Sequence, residues 1–481
     1  MMGTSKRMLC WSVMSLSMVI GLSGQEITYS SETYGTLQGA VDTLEASTDE
    51  THTLILPIGE YQERVSVASN LTIRGAETFG TRWSSEDAGL TALLQVTANV
   101  IVEIERITFY SANLGIGLSG QAQANIHNNI FAMGSTNTAI ESLEESSANL
   151  YHNSFHTNGV AFEGAQSSGV TNNLFYMSTN SILGISSDNF IGHNHFEGEP
   201  DGNRLGSDNT TGSLNFVNHE SLDLHLQSTS PVIDGGSQTD GNDALDDSAP
   251  DLGAYGGNRM DLIPAPVVGV EVTSTSQLSS NVEISIGMDA YTDYQVQGFL
   301  LYYDTDESGE PYGGNVTGLG PSPVDLGNNQ TASFSNIDLS NDVATANLLS
   351  LTPRNNSLIA TWEEVEGATS YELRYRVAGS SSNYEDLTVG VVTQATLNGL
   401  TNGVAYEVEL RALYQPTIYV ALSAYYDQGV QREQTSRLSS SSLTVPDTLE
   451  GQYSASLEAT PEETQPYPLL PDTGGGCLLA K

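Results

Sequence analysis

The chain has 481 residues, more than one hydrophobic core usually organises, so two to four domains are expected. Asp and Glu number 58 against 15 Lys and Arg, and the resulting charge of −43 disfavours nucleic acid and anionic membrane surfaces as partners. Two cysteines exclude a disulfide scaffold and a Cys-ligated zinc or iron–sulfur centre.

Lys6 and Arg7 precede an apolar run from Met8 to Leu22 that is too short to span a bilayer comfortably. Gly21 and Ser23 put small residues where a signal peptidase cuts. Residues 1–23 therefore read as a signal peptide, cleaved after Ser23 or Gly24. The mature chain is expected to be secreted or held at the cell surface, with no transmembrane span. Cys477 is then its one cysteine, which leaves no intrachain disulfide.

Tyr34-Gly-Thr-Leu-Gln-Gly-Ala-Val41 reads as a short amphipathic helix, and residues 53–61 and 65–73 as strands broken by turn residues. Between 125 and 196 the chain repeats an apolar-x-(His/Asn)-Asn-x-Phe hexapeptide. The copies are Ile126-His-Asn-Asn-Ile-Phe131, Leu150-Tyr-His-Asn-Ser-Phe155, Val170-Thr-Asn-Asn-Leu-Phe175 and Ile191-Gly-His-Asn-His-Phe196. A period near twenty with short β segments predicts a solenoid, each repeat one coil that cannot bury its apolar face alone. Coils would stack about 4.8 Å apart. Asn129, Asn153, Asn173 and Asn194 would then pass amide hydrogen bonds up the stack, and Phe131, Phe155, Phe175 and Phe196 would pile inside. Asparagine also suits the left-handed backbone that a tight turn needs, and that conformation is expected at the ladder residues themselves.

The opening reads Thr36-Leu37, Ala40-Val41, Leu54-Ile-Leu-Pro-Ile-Gly59, Tyr61, Val65, Val67 and Leu71-Thr-Ile-Arg-Gly75. With the four repeats, it resembles the right-handed parallel β-helix of the pectin-lyase-like superfamily. Ser230-Pro-Val-Ile-Asp-Gly-Gly236 and Asp251-Leu-Gly-Ala-Tyr255 resemble the closing motif of secreted β-helix proteins. The resemblance spans residues 26–258 and implies a helix capping the N-terminal end of the coil, where it blocks edge-to-edge aggregation.

Pro264-Ala-Pro266 marks a linker. Leu358-Ile-Ala-Thr-Trp362, Tyr371-Glu-Leu-Arg-Tyr375 and the stretch 397–412 resemble a fibronectin type III domain over 347–446. The resemblance implies that Trp362 fills a sandwich core and that Tyr406 forms a tyrosine corner. Residues 413–434 read as an insertion in that domain. Gly298-Phe-Leu-Leu-Tyr-Tyr-Asp304 looks like the middle of a degenerate copy over 264–342 that lacks convincing last strands. Residues 447–481 read as a flexible acidic tail, disordered by composition. Leu470-Pro-Asp-Thr-Gly474 within it spells a sortase pentapeptide without the long apolar stretch that such a signal needs. The fold class is thus all-β throughout.

The superfamily includes polysaccharide lyases, which need a Lys or Arg base beside a cation. No lysine lies in the coil region, and its arginines (Arg64, Arg74, Arg82, Arg106, Arg204 and Arg259) fall outside the four repeats. A polysaccharide hydrolase needs two carboxyl groups. Strand alternation puts Glu141 and Glu163 outward on neighbouring coils, close enough to share calcium but closer than an acid–base pair requires. His127, His152, His193 and His195 lie beside the expected ladder, either as a Zn, Cu or Ni site or as hydrogen-bonding turn residues. Asp240, Asp243, Asp246 and Asp247, with Asp251, form the densest oxygen cluster, either a calcium loop of non-EF-hand spacing or a solvated loop. The residues favour binding of polysaccharide or cell-surface glycan, with adhesion by the C-terminal modules. A carbohydrate-active enzyme and a structural matrix component are the alternatives.

Overall fold

The computed structural model describes residues 25–47, 52–85, 92–97, 99–143, 145–164, 168–184, 190–198, 208–278, 281–305, 310–338, 344–415, 417–426, 438–444, 449–450 and 453–462. The expected signal peptide, the pentapeptide 470–474 and Cys477 lie outside them. No helix among the described residues is long and apolar enough to cross a membrane. The chain divides into two compact units. One runs to Leu262 and takes in Thr292–Tyr294; the other comprises Ile263–Tyr291 and the chain from Gln295 onward.

The first unit is a parallel β-solenoid of about 6 turns. Each complete coil contributes one strand to each of three parallel sheets, as in Gln123–His127, Ile130–Ala132 and Gly134–Ser142, then Ser147–Tyr151, Ser154–His156 and Asn158–Gly164. The first sheet stacks Leu54, Ile73, Ile104, Ile126, Leu150 and Val170 in register, all buried. The third stacks Val65, Leu94, Ile116, Ile140 and Phe162 likewise. In the second sheet Trp83, Phe109, Phe131, Phe155, Phe175 and Phe196 form one column, with centroids 5.6, 5.1, 5.1, 4.9 and 4.7 Å apart. Aromatic pairs at such spacing add about 0.5–1.5 kcal/mol each beyond the area they bury.

The expected single helix is two. Ser31–Tyr34 stops at Gly35, whose φ of 73° suits glycine, and Leu37–Glu45 starts afresh from Thr36, whose side chain accepts the Gly39 amide. The second helix buries Leu37, Ala40, Val41 and Leu44 in the same core as the coils. Residues after 210 fold back across the outside of the second sheet. Leu214, Phe216, Leu224, Leu226, Val232 and Leu252 join the outward-facing Ile130 and Leu174 in a separate buried cluster.

The second unit corrects the expected modular split. A three-stranded sheet runs in the order Glu271–Leu278, Asn281–Gly287, Thr331–Asp338. A four-stranded sheet runs Val324–Gly327, Gly298–Asp304, Thr417–Tyr425, Ser439–Thr444. The segment expected as an insertion thus carries the strand that pairs, antiparallel, with Gly298–Asp304. Two strands of this four-stranded sheet thus follow Thr331–Asp338 only after a long intervening stretch of chain.

Between its halves runs a second set. Leu348–Arg354, Ser357–Trp362 and Gln394–Asn398 make one sheet. Glu385–Val389, Ser370–Val377 and Tyr406–Tyr414 make the other, with Leu449–Glu450 and Leu457–Ala459 along its edge. Part of the expected disordered tail is therefore strand. Tyr453 anchors it by laying its ring 3.5 Å from the Arg374 guanidinium carbon, a stabilisation that composition does not register. One buried cluster includes residues of both sets, among them Ile284, Leu301, Trp362 and Leu373.

Candidate functional site

Each hexapeptide divides its polar residues between two tasks. The ladder asparagines are fully buried at one corner of the coil. Asn129 Nδ2 donates to Asn153 Oδ1 at 3.2 Å, Asn153 to Asn173 at 3.0 Å and Asn173 to Asn194 at 3.0 Å. The row continues to Asn209 at 3.1 Å, which the repeat did not announce because it follows Asn194 by 15 residues rather than about 20. At the other end the Ile107 amide donates to Asn129 Oδ1, so an apolar residue closes the row through its backbone.

The left-handed conformation belongs to the preceding residue, which corrects the expectation for the ladder. Arg106, Asn128, His152, Asn172 and His193 have φ of 59, 53, 53, 57 and 55°. This turn sends the ladder side chain inward and leaves the residue before it to face what lies outside.

What lies outside, for four of the five, is the segment 237–260, which includes the second part of the expected closing motif and runs as a strap down the corner. Asn172 Oδ1 accepts the Ser237 amide, and its Nδ2 donates to the Ser237 carbonyl. His152 Nδ1 donates to the Asp251 carbonyl at 3.1 Å, while Nε2 accepts from Asn172. Asn128 Nδ2 reaches the Ala254 and Gly256 carbonyls, both at 2.9 Å. Arg106 donates to the Arg259 and Met260 carbonyls, and the Thr78 amide, one coil lower, donates to Asp261. Burial holds His152 down to about 3, so its two bonds suit a neutral ring.

The histidines read either as a metal site or as hydrogen-bonding turn residues take different partners. His127 falls in register with Tyr151, stacks on it at 4.5 Å, and lies 3.1 Å from Glu103 Oε1 and 3.6 Å from Glu105 Oε2. Its hydrogen bond is the main force holding the Glu103 carboxyl down at about 2, with Arg259 adding to it. His193 stands 3.9 Å from Asp208, and His195 bonds Thr210 and the Gly212 carbonyl. One residue of offset puts His127 on a strand face, whereas His152 and His193 take the same turn position with Asn172 between them.

The acidic loop also turns from a shared cation. Asp243 is buried and accepts the amides of Asp251 and Gly257 at 2.8 and 2.6 Å. Asp246 accepts the Ser248 amide, and Asp247 accepts from Asn242. The side chain of Asp240 lies outside the described set. Among the described residues no three His, Cys, Asp or Glu side chains are grouped to hold a metal ion. Burial and the neighbouring Asp251 push Asp243 up to about 8, and burial pushes Asp251 to about 6. Below the strap, His225 bonds Asp223 at 2.7 Å and stacks on Tyr255 at 3.5 Å. Burial works against its charge, but Asp223, Asp293 and Asp261 outweigh burial and raise it to about 9.

Glu141 and Glu163 are direct register partners in the third sheet, half-buried, with Ile140 and Phe162 beside them pointing into the core. Burial first, and then the charge of Glu163, raise the Glu141 carboxyl above its ordinary range. Two carboxylates so placed hold a shared proton or a shared hard cation. In the second unit Trp362 is buried near Tyr371, and Tyr406 Oη accepts the Thr401 amide at 3.2 Å. Missed in the sequence is a file of alternating rings and guanidinium groups on one sheet: Arg376 over Tyr384, then Arg374 between Tyr384 and Tyr453, then Arg411 over Tyr453. Glu407, Glu409 and Glu372 pair with the three arginines. Residues at every second position, 372, 374 and 376, carry the signal.

No family model matches this chain, and no curated protein matches it. Among solved structures it is similar to the fn3 domain of human collagen alpha-1(XX) chain, at 20% identity and a TM-score of 0.13, over 22% of this chain and 89% of that one.

Proposed function

We propose that this is an exported protein of the cell surface or extracellular space that binds polysaccharide on the outer face of the third solenoid sheet. The observation that supports it is the register pairing of Glu141 with Glu163. The outside of the second sheet is covered by residues after 210, and the corner by the strap, whereas Glu141 and Glu163 are half-buried. A calcium ion shared by the two carboxylates would present its open positions to sugar hydroxyl or uronate oxygens.

The finer fold reading goes with this proposal. The solenoid is a right-handed, pectin-lyase-like β-helix, and Leu37–Glu45 caps its first coil. The second unit is two fibronectin type III sandwiches that interleave. Each set has a three-stranded and a four- or five-stranded sheet in the order that fold uses, which supports the reading. These modules act as spacers or adhesive units.

The test is a polysaccharide panel, with and without chelator, scored for retention and for new reducing or unsaturated ends. Retention that is lost with chelator and in Glu163→Gln, without new ends, is expected. The raised Glu141 carboxyl favours one second reading, a hydrolase with Glu141 as acid. New ends that disappear in Glu163→Gln would establish that reading and overturn simple binding.

A further inference from the structure

The structure brings together two histidines that no sequence repeat connects. His156 ends the second strand of the coil Ser147–Gly164, and His219 opens a short turn, His219–Ser221, in the segment folded across that sheet. Their ring centroids are 5.8 Å apart with planes 36° from parallel. Tyr176, the register partner of His156, stacks on it at 5.2 Å and tilts against His219 at 5.3 Å. Phe216 closes the group edge-on to Tyr176.

We infer that His156 and His219 form a two-imidazole site for a borderline divalent metal ion of the Zn²⁺, Cu²⁺ or Ni²⁺ class. The separation is the first reason. An imidazole nitrogen about 2.0–2.1 Å from zinc puts its ring centre roughly 3 Å from the ion, so two rings on one tetrahedral ion stand roughly 5–6 Å apart. The second reason is the state of His156. Its Nδ1 lies 3.1 Å from Thr157 Oγ1, while Nε2 is buried without a hydrogen-bond partner. An oxygen partner on one ring nitrogen is the arrangement that orients a ligating histidine and leaves the other nitrogen to the metal.

Thr157 holds that oxygen from a left-handed conformation, φ 52°, which is unusual for a β-branched residue. His219 is half-exposed, which gives an ion a way in and leaves the remaining coordination positions to water or a small external ligand. Imidazole ligands select against Ca²⁺ and Mg²⁺, so the site is independent of the carboxylate pair on the third sheet.

Full-length protein without a histidine tag is titrated with Cu²⁺ and, separately, Zn²⁺ at pH 7.5, with millimolar Ca²⁺ present to occupy carboxylates. One tight ion per chain is expected, with nitrogen hyperfine coupling from two imidazoles in the Cu²⁺ electron paramagnetic resonance spectrum. His219→Gln, on a half-exposed turn, should weaken it about tenfold or more, and Thr157→Ala by about tenfold. His193→Gln is the control and should bind as the parent does. A parent with no tight ion, or a His219→Gln variant with unchanged affinity and spectrum, would overturn the inference.

Discussion

Asn153 lies within hydrogen-bond reach of both its ladder neighbours: its Oδ1 accepts from Asn129 at 3.2 Å and its Nδ2 donates to Asn173 at 3.0 Å. The same side chain donates to the Ile126 carbonyl at 2.7 Å, so one buried amide joins three coils. Asn153→Ala leaves that carbonyl and the adjacent amides without their partner. A loss of about 2–4 kcal/mol is expected, read as a lower denaturation midpoint of the solenoid. Asn209→Ala, at the end of the row, should cost less. Equal losses would contradict a cooperative ladder.

The strap makes stability depend on pH. Asp243 has its folded value raised to about 8 from an unfolded value near 3.8. Between those limits the folded state binds the extra proton, so stability falls as pH rises. His225 is raised to about 9, so its contribution is full below about 6.5 and is lost as pH climbs through 9. Denaturation from pH 5 to 9 should show a decline that is shallower in Asp243→Asn below 8 and shallower in His225→Gln above 6.5. Parallel slopes in all three proteins would exclude both groups as the cause.

Gly253 sits where the strap packs against the second sheet. Its φ is 96°, and an added Cβ would meet Leu174 Cδ1 at 2.6 Å and Ser154 Oγ at 2.7 Å. Gly253→Ala combines backbone strain with overpacking and should cost about 2–4 kcal/mol. Limited proteolysis should then cut first between residues 230 and 262, with the coils still resistant. First cleavage within the coils would show that the strap is not what the substitution released.

The interleaved strands of the second unit predict shared unfolding. Leu301 belongs to the strand Gly298–Asp304 and is fully buried in the cluster that also holds Trp362 and Leu373. Leu301→Ala should raise amide exchange in Ser370–Val377 as well as in Gly298–Asp304, because the chain completes neither set before entering the other. Exchange confined to the first set would mean that the two unfold independently.

The solenoid was legible because its cause is local and repeated. A coil of about twenty residues must place the same residue at the same corner each time, so Asn129, Asn153, Asn173 and Asn194 with their phenylalanines write the period into the sequence. The pairing of Glu141 with Glu163 followed from the same period plus strand alternation. The left-handed turn was placed one residue late, because asparagine suits both the turn and the ladder, and composition does not separate the two.

The sequence by itself determined the stacked coils, the buried aromatic column and the all-β character of the second half, since each depends on periodicities of two or about twenty residues. Only the tertiary structure decided which strand completes which sheet, where the closing motif lies and which histidines meet. Thr417–Tyr425 reads as a strand, but nothing within it names Gly298–Asp304 as its partner. Asn128 and Ala254 lie 126 residues apart, and His156 meets His219 only after the chain has folded back over the coil. Such contacts arise from burying apolar surface across distant segments, a non-directional force that selects partners by shape rather than by any local pattern.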